Sequence, residues 1–390
     1  MSTGISQDCT IKYGGTRMAF CLMDGNEAIA RAAITSGCRF CAGYPITPAS
    51  PLIATMLEFL PPEGGICLQG EDEIASIGFC LGASMAGMKV MTATSGPGLS
   101  LFTENISFAV GSEIPIVIVD VQRLGPSTGS ATRGADGDIN FLRWGHSGGL
   151  PVIVLAPVDV KDCFFLTVHA FNLAEEFRCP VFIASNKEIG MTKESIDLDA
   201  LEMPNIKDRA APPPGEPFLP FGVSSGRMVP YFLPMGGEVL VRQTSSTHGP
   251  DGYITTDFNE IGKIRDRLKR KLLAARGQFS FYEAHIEDDA DTLVITYGVS
   301  ARAAREVFKE QKSEGKPVSL LVLKTLWPVP EDLIRDKAKN AKRVVVVEMN
   351  LGQYVREIAR VLSDKKVDFF GQMNGTLITP RQIKEVIADE

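Results

Sequence analysis

The composition of this 390-residue chain is that of a globular protein, with 44% hydrophobic and 22% charged residues, and its length predicts two or three domains. Its 40 basic and 47 acidic side chains leave a net charge of −7, which provides no general attraction for nucleic acid or anionic lipid. The N-terminal sequence MSTGISQDCTIKYGG lacks a signal-peptide pattern, and no apolar run approaches the roughly 20 residues of a membrane span. We therefore expect a cytoplasmic protein that binds neither membranes nor nucleic acid.

The first half of the chain predicts a doubly wound α/β domain over residues 1–195. From Met18 to Asn186, short apolar runs alternate with longer helical patterns. The predicted strands are RFCAG, GICLQG, KVMTATS, IPIVIVDV, LPVIVLAP and CPVFIAS. Nearly continuous apolar strands that alternate with helices are typical of a parallel sheet covered on both faces.

The eight cysteines, all in this half, are scattered and mostly lie in apolar stretches, as free thiols do in a reducing compartment. Cys38 and Cys41 form a single CxxC, which allows a redox pair, half of a metal site or simple packing. No second CxxC follows, and the histidines are distant in sequence, so packing is favoured and we predict no metal site. The cysteine spacing also predicts no iron–sulfur cluster held by this chain alone.

Residues 196–285 predict a linker of irregular structure, because APPPGEPFLPFG and the residues after it are rich in proline and glycine. The linker ends in the basic helix EIGKIRDRLKRKLLAARG. This helix could bind an anion, but Ile264, Leu268 and Leu272 form an apolar stripe at a spacing of four. The stripe favours a helix that packs on one side and exposes its charges to solvent.

Residues 286–390 predict a second, smaller α/β domain. Three strands, TLVITYG, VSLLVLKTLWP and RVVVVEM, are each followed by a helical pattern. Strand and helix pairs in this order predict another doubly wound sheet.

Ligands of open parallel sheets bind beyond the carboxyl ends of the strands. Two loops at such positions contain candidate site residues. GYPITPASP follows a strand, and Pro45 and Pro48 stiffen the backbone around Thr47. GEDEIAS places three acids at the start of a helix, where Glu71 or Asp72 suffices to cap the helix. Glu73 opens a helix almost free of charge, so we expect it to be drawn inward, where a carboxyl group serves acid–base chemistry.

Two further loops have weaker signals when taken alone. TATSGPGLSL contains a Gly-Pro-Gly turn before a helix, which predicts a close approach of the backbone to another group. In DVQRLGPSTGS, Arg123 ends a strand and is suited either to grip a carboxylate or to form a surface ion pair. GADGDIN contains Asp-Gly-Asp and Asn140, but its spacing favours a polar loop over a metal site.

The order GYPITPASP, GEDEIASIGFCLGASMAG, TATSGPG and DVQRLGPSTG in one α/β domain resembles the α subunit of the 2-oxoacid:ferredoxin oxidoreductases, and most closely their 2-oxoglutarate branch. The resemblance continues through KTLWPVPEDLI and VVVVEMNLGQ. It implies a pyrimidine-binding domain for thiamine diphosphate followed by a transketolase C-terminal-like domain.

The resemblance assigns roles to individual residues. Thr47 matches the threonine that hydrogen-bonds the substrate carboxylate, and Arg123 matches the arginine that pairs with it. Glu73 matches the glutamate that contacts N1′ of the thiamine aminopyrimidine and promotes its imino tautomer. The full predicted site, with catalytic residues Thr47, Glu73 and Arg123, adds substrate-binding Tyr44, Ser127 and Thr128 and cofactor-binding Thr94, Ser95 and Gly96.

The resemblance also implies partners and cofactors that this chain does not supply. The chain lacks a motif for diphosphate and Mg²⁺ and a cluster-binding cysteine pattern. A β subunit is therefore expected to hold the diphosphate side of thiamine diphosphate, Mg²⁺ and an iron–sulfur cluster. A separate γ subunit, ferredoxin and coenzyme A complete the expected reaction of a small 2-oxoacid.

Several alternatives remain open at this stage. The substrate is 2-oxoglutarate on the closest resemblance, with branched-chain 2-oxoacids, pyruvate and arylglyoxylate as alternatives. A non-catalytic thiamine-fold subunit that only binds a partner is a different class. A dinucleotide-dependent dehydrogenase is disfavoured, because GxGxxG followed by an acid is missing.

Overall fold

A computed structural model describes residues 12–13, 16–17, 20–198 and 200–388. The predicted start of the α/β pattern at Met18, and Cys9, lie outside these residues. The strands are β1 (Lys12–Tyr13), β2 (Thr16–Arg17), β3 (Phe20–Asp24), β4 (Cys38–Gly43), β5 (Ile66–Gln69), β6 (Lys89–Thr94), β7 (Ile116–Gln122), β8 (Ile153–Leu155), β9 (Pro180–Asn186), β10 (Lys193–Asp197), β11 (Tyr282–His285), β12 (Thr292–Thr296), β13 (Ser319–Leu323), β14 (Thr325–Trp327), β15 (Arg343–Glu348) and β16 (Lys366–Gly371). The helices are α1 (Gly25–Thr35), α2 (Ser50–Phe59), α3 (Glu73–Met85), α4 (Gly96–Gly111), α5 (Ile139–Trp144), α6 (Val160–Phe177), α7 (Lys187–Met191), α8 (Phe258–Leu273), α9 (Ser300–Ser313), α10 (Glu331–Lys337), α11 (Val355–Val361) and α12 (Pro380–Ala388).

The predicted parallel sheet has the strand order β14-β8-β9-β7-β6-β4-β5, in which the first half of the chain supplies every strand except β14. All neighbours are parallel except β14, which runs antiparallel to β8. The central strands β6, β7 and β9 are buried along their whole length, as their unbroken apolar runs predict. Because parallel strands end at the same edge, the loops after β4, β5, β6 and β7 lie along one side of this sheet.

Each face of the sheet packs against its own set of helices. Side chains of α1, α2 and α6 form one core with Val117, Val119 and Ile183. Side chains of α3, α4 and α5 form the other core with Ile116 and Ile118. The alternation of inward directions along β7 follows from the two-residue period of a strand, and it confirms the doubly wound architecture.

The second sheet has the order β11-β13-β12-β15-β16, in which only β11 is antiparallel to its neighbour. The three predicted strand and helix pairs are present, but the predicted single strand VSLLVLKTLWP is wrong. It divides at Lys324 into β13, in this sheet, and β14, which pairs with β8 of the first sheet. The Lys324 carbonyl accepts a hydrogen bond from the Ala156 N–H (2.8 Å), so the chain changes sheets there without losing backbone pairing. The division of the chain at residues 195 and 285 stays a prediction.

Described residues from 198 to 257 contain neither helix nor strand, whereas Tyr282–His285, at the end of the predicted linker 196–285, form β11 of the second sheet; the linker assignment stays a prediction. The linker is held to the first domain by the buried Arg178, at the C-cap of α6. Its guanidinium donates to the carbonyls of Tyr231 (3.0 Å) and Pro220 (3.3 Å) in the linker, and to that of Glu113 (3.2 Å).

The helix α8 differs from the expectation that its charges are solvated. Lys263, Arg265, Lys269 and Arg270 are exposed, as expected. Arg267 and Lys271 are buried, however, and both bind the Glu113 carboxylate. The two Arg267 contacts are 2.6 and 2.9 Å, and the Lys271 contact is 2.8 Å. No helix in the described part of the chain is long and apolar enough to cross a membrane.

We predict that Glu113→Gln destabilises the chain by about 3–5 kcal/mol, because it removes one partner of a buried ion pair and leaves two buried cations uncompensated. Burial raises the pKa of Glu113, but Lys271 and Arg267 more than offset this and lower the pKa from 4.5 to about 2. The stabilising contribution is therefore complete above pH 4.5 and is lost as the pH falls towards 2. Urea denaturation at several pH values measures the difference between wild type and variant.

The matched control is Glu260→Gln, which breaks the exposed pair with Lys263 on the same helix. An exposed pair contributes about 0.5 kcal/mol, so this variant should unfold close to wild type. Equal losses in the two variants, or a difference for Glu113→Gln that grows as the pH falls, would contradict the assignment.

Candidate active site

Glu73 lies buried at the carboxyl edge of the sheet, four residues beyond the end of β5. It is the first residue of α3 and only 8% exposed. The neighbouring Asp72 caps the helix, since its Oδ1 accepts a hydrogen bond from the Ala75 N–H (2.7 Å). Because Asp72 caps the helix, the Glu73 carboxyl is not needed as a cap. Its burial agrees with the prediction that Glu73 is drawn inward.

Thr94 packs beside Glu73 at the end of β6. A Cβ atom placed on Gly98 would lie 2.1 Å from Thr94 Oγ1 and 2.8 Å from Glu73 Oε1. The hydroxyl and the carboxyl therefore both touch the first turn of α4 at the same point. The structure requires glycine at position 98 for this contact, which explains one of the two glycines in the Gly-Pro-Gly turn.

Ser95 and Gly96 continue this surface. Ser95 is fully buried, and its Oγ has no hydrogen-bond partner within the described residues. Gly96 begins α4, and a Cβ there would lie 2.8 Å from Asp138 Oδ2. Thr94, Ser95 and Gly96 thus lie together at a helix N-terminus whose backbone N–H groups favour negative charge.

Arg123 follows β7 and binds the GYPITPASP loop. It is 8% exposed, and its Nη1 donates a 2.6 Å hydrogen bond to the Thr47 carbonyl. Its Nε has no partner within the described residues. The structure therefore brings together the two loops that were predicted to bind the substrate carboxylate, through the Thr47 backbone. Tyr44 and Thr47 are exposed beside this contact.

Ser127 and Thr128 lie further out, at the exposed tip of the loop that begins at Leu124. The loop is closed at its base by hydrogen bonds from the Leu124 N–H to the Arg133 carbonyl (2.8 Å) and from the Ser130 N–H to the Leu124 carbonyl (2.9 Å). Within the described residues, no hydrogen bond joins either hydroxyl to Arg123. Their role in substrate binding stays a prediction.

Three acids beside this site, of which Asp120 and Asp136 are buried and Asp138 is half-buried, were not assigned to it from the sequence. Asp120 lies on β7 opposite Thr94 of β6, and neither of its carboxylate oxygens has a partner in the described structure. Burial, with Asp138 and Asp136 nearby, raises its pKa well above the ordinary value. The signal was available: a single acid inside the apolar run IVIVDV is costly unless it has a polar environment.

The other two acids belong to GADGDIN. Burial raises the pKa of Asp136 to about 7, although Asn186 donates a hydrogen bond to it (2.7 Å). Burial also raises the pKa of Asp138 to about 6, against the opposing effect of Arg123. The carboxyl groups of Asp136 and Asp138 therefore gain or lose a proton near neutral pH, as groups at functional sites often do.

GADGDIN is a polar loop that contacts the second domain. The Asp136 N–H donates to the Met349 carbonyl (2.9 Å), and the Asn140 N–H donates to Gln353 Oε1 (2.8 Å). Among the residues that the structure describes, no group of three or more His, Cys, Asp or Glu side chains is arranged to hold a metal ion. Sequence spacing identified the loop as polar but could not reveal what it contacts.

The geometry suits the aminopyrimidine ring of thiamine diphosphate. A buried carboxyl group at Glu73 suits the N1′ atom of an aminopyrimidine, and the unpartnered Ser95 hydroxyl is a further polar contact for a buried heterocycle. The end of β6, the N-terminus of α4 and the Arg123 guanidinium lie at the same edge of the sheet.

Two family models match the chain in succession. The model described as "Pyruvate flavodoxin/ferredoxin oxidoreductase, thiamine diP-bdg" matches residues 31–265. The model described as "Pyruvate:ferredoxin oxidoreductase core domain II" matches residues 290–383.

Curated relatives extend over nearly the whole chain. The 2-oxoglutarate synthase subunit KorA of Methanothermobacter marburgensis is 42% identical, over 93% of this chain and 96% of the relative. That of Archaeoglobus fulgidus is 40% identical, over 95% and 99%. The ketoisovalerate oxidoreductase subunit VorB of Methanothermobacter thermautotrophicus is 33% identical, over 95% and 98%.

Solved structures agree with the sequence relatives. The 2-oxoglutarate:ferredoxin oxidoreductase of Magnetococcus marinus, with 2-oxoglutarate, coenzyme A and succinyl-CoA bound, matches 94% of this chain with a TM-score of 0.89 and 31% identity. This chain spans 64% of the matched chain. A split-gene transketolase matches with a TM-score of 0.53 at 13% identity, which shows a shared fold alone.

The ordered loops at the carboxyl edge, both family models and relatives at up to 42% identity lead to one conclusion: the chain belongs to the 2-oxoacid:ferredoxin oxidoreductase family, in which its curated relatives include the KorA subunits of 2-oxoglutarate synthase.

Proposed function

We propose that this chain is the α subunit of a thiamine-diphosphate-dependent 2-oxoglutarate:ferredoxin oxidoreductase. The reaction converts 2-oxoglutarate, coenzyme A and two oxidised ferredoxins into succinyl-CoA, CO₂, a proton and two reduced ferredoxins, or runs in the reverse, carboxylating direction. The observation that carries the proposal is the contact between Arg123 and the Thr47 loop at the sheet edge that also holds Glu73.

The relatives support 2-oxoglutarate as the substrate. Four KorA sequences are 38–42% identical to this chain, against 32–33% for two VorB sequences. The related structure that contains 2-oxoglutarate and succinyl-CoA has a TM-score of 0.89.

Each predicted residue has a physical task in this reaction. Bound thiamine diphosphate supplies the electron sink for the carbon that loses CO₂. Glu73 holds N1′ of the aminopyrimidine, and burial keeps water from competing for its carboxyl. Arg123 orients the 2-oxoacid by its carboxylate, since a guanidinium offers paired donors to such a group. Thr94, Ser95 and Gly96 form the polar wall of the cofactor pocket, and Tyr44, Ser127 and Thr128 border the substrate entrance.

A β subunit that provides the diphosphate side of thiamine diphosphate, with Mg²⁺ and an iron–sulfur cluster, completes the proposed site. An exposed apolar surface supports this partner: Ile74 and Phe79 on α3, directly after Glu73, are 50% and 48% exposed. Large exposed apolar groups beside half a site are typical of a protein interface. A separate γ subunit and ferredoxin belong to the same proposal. We place the complex in the cytoplasm, because the scattered cysteines of the sequence are typical of a reducing compartment.

A branched-chain 2-oxoacid is the second candidate substrate, because VorB matches 95% of the chain at 33% identity. The reconstituted complex should show a kcat/KM for 2-oxoglutarate at least tenfold above those for ketoisovalerate, pyruvate and an arylglyoxylate. Coenzyme A-dependent reduction of ferredoxin measures all four. If kcat/KM is higher for ketoisovalerate than for 2-oxoglutarate, the substrate is a branched-chain 2-oxoacid and the 2-oxoglutarate assignment is wrong.

We predict that Glu73→Gln lowers kcat by about 10²–10⁴-fold, the usual range for a lost acid–base group. The substitution keeps the size of the buried side chain but removes its ionisable carboxyl. Glu71→Gln, on the exposed side of the same loop, is the matched control and should keep wild-type kcat.

Unchanged ferredoxin reduction by the Glu73→Gln complex would overturn the role of Glu73. Wild-type activity of the partner subunits in the absence of this chain would instead show that the chain is a non-catalytic, thiamine-fold subunit.

We predict that Arg123→Met lowers kcat/KM for the 2-oxoacid by at least tenfold, because the substrate carboxylate loses its charged partner. Arg133→Met, an exposed arginine of the same loop, is the control. The two kcat/KM values are measured on the complex with saturating coenzyme A. Equal effects of the two substitutions would exclude a specific role for Arg123.

A further inference from the structure

Two cysteines that no step of the proposed reaction uses face each other across β4 and β5. The parallel register pairs Cys41 directly with Cys67. Both side chains point to the same face of the sheet, where Cys41 belongs to the core and Cys67 packs against it. Adjacent strands lie about 4.8 Å apart, within the range of about 4.4–6.8 Å between the Cα atoms of disulfide-bonded cysteines.

The two thiols differ in exposure. Cys41 is fully buried on an inner strand, whereas Cys67 is half-buried on β5, the last strand of the sheet. Ile66, beside Cys67, is 49% exposed. A small reagent therefore reaches Cys67 from solvent, and Cys41 only by way of Cys67 or local opening of the edge strand.

The contact between the thiols assigns them different chemical roles. A hydrogen bond from the Cys41 thiol lowers the pKa of Cys67, against the effect of burial. The same hydrogen bond, and then burial, raise the pKa of Cys41 well above its ordinary value. The thiolate is the nucleophilic form of cysteine, so the accessible thiol is also the more reactive one.

Neighbouring cysteines are less suited to pair with Cys67. Cys80 lies in the core on the opposite face of the sheet, where its thiol donates to the Met91 carbonyl (3.3 Å). Cys38, the other member of the CxxC, donates to the Phe40 carbonyl (3.4 Å). Burial raises the pKa of Cys38 to about 12. The strand register, rather than the CxxC spacing, selects the pair.

We propose that Cys67 and Cys41 form a redox modification site, in which Cys67 reacts with peroxides and Cys41 resolves the product as a disulfide. The Cys67 thiolate attacks one oxygen of hydrogen peroxide and the O–O bond breaks. Cys67 becomes a sulfenic acid, and the hydroxide that is released takes up a proton to give the first water. Cys41 then attacks the Cys67 sulfur, a second water leaves after proton transfer, and the S–S bond forms. Overall, two thiols lose two electrons and two protons, and one hydrogen peroxide becomes two waters.

The place of this pair gives the modification a structural consequence. The strand β5 ends at Gln69, and α3 begins at Glu73 after a short turn. The Gly70 N–H donates to the Gly43 carbonyl at the end of β4 (3.0 Å). A covalent link between β4 and β5 therefore joins the strands that carry the Thr47 and Glu73 loops.

The test treats the purified full-length chain with hydrogen peroxide, blocks the remaining thiols with iodoacetamide and maps the peptides without reduction. We expect a peptide pair linked through Cys41 and Cys67, formed at least tenfold faster than any oxidation of Cys163, which is fully buried. In Cys41→Ser, Cys67 should accumulate as a sulfenic acid that dimedone traps. In Cys67→Ser, oxidation of Cys41 should slow at least tenfold.

Cys38→Ser and Cys80→Ser are the matched controls and should leave the yield of the Cys41–Cys67 link unchanged. The proposal is overturned if Cys67 in the wild-type chain is oxidised no faster than Cys163, a result that needs no variant to fold. It is also overturned if the wild-type disulfide joins Cys67 to Cys38. Neither result bears on the 2-oxoacid reaction.

Discussion

A buried hydrogen-bond network at Asn350 joins the two α/β layers, and the position of the site loops depends on it. Asn350 Nδ2 lies 2.9 Å from the Asp136 carbonyl oxygen, 2.7 Å from the Tyr297 hydroxyl and 3.0 Å from Glu348 Oε2. Asn350 is fully buried, so an unpaired amide there would cost about 1–3 kcal/mol. The network holds residues 134–140 on the second domain, and Asp138 lies against Gly96 at the N-terminus of α4, beside Thr94 and Ser95.

Raised pKa values explain how three acids can lie close together at one edge of the sheet. Asp120, Asp136 and Asp138 all have raised pKa values, chiefly through burial, so they do not all carry a full charge near neutral pH. Arg123 lowers the pKa of Asp138. Protonation of these acids weakens their attraction for the guanidinium, which leaves it freer to pair with the substrate carboxylate that we propose.

Local sequence patterns predicted what depends on local structure. Apolar runs located β4 to β9, and the caps and prolines located the loops with Thr47, Glu73 and Arg123. The misassigned strand at Lys324 shows the limit: VSLLVLKTLWP reads as one strand, and only the pairing of Thr325 with Leu155 of another sheet divides it. Glu113 was missed for a related reason, because its partners Arg267 and Lys271 lie about 150 residues away in sequence and a basic helix alone does not indicate an inward-facing pair. Asp120 stands out in the sequence as a single acid in an apolar strand, but the sequence does not show that Asp136 and Asp138 lie near it.

The contact between Arg123 and Thr47 changes how the proline-rich loop is understood. The sequence assigned the function to the Thr47 hydroxyl, yet the bond that the structure shows is made by the Thr47 carbonyl. A guanidinium has five N–H donors, and the carbonyl uses one of them, at Nη1. The remaining donors, including an Nε without a partner in the described residues, can serve a substrate carboxylate while the arginine stays anchored. Pro45 and Pro48 restrict the backbone that holds this carbonyl. The proline-rich loop therefore fixes the orientation of the Arg123 side chain. A side chain that is already held in place loses less conformational entropy when it binds a ligand.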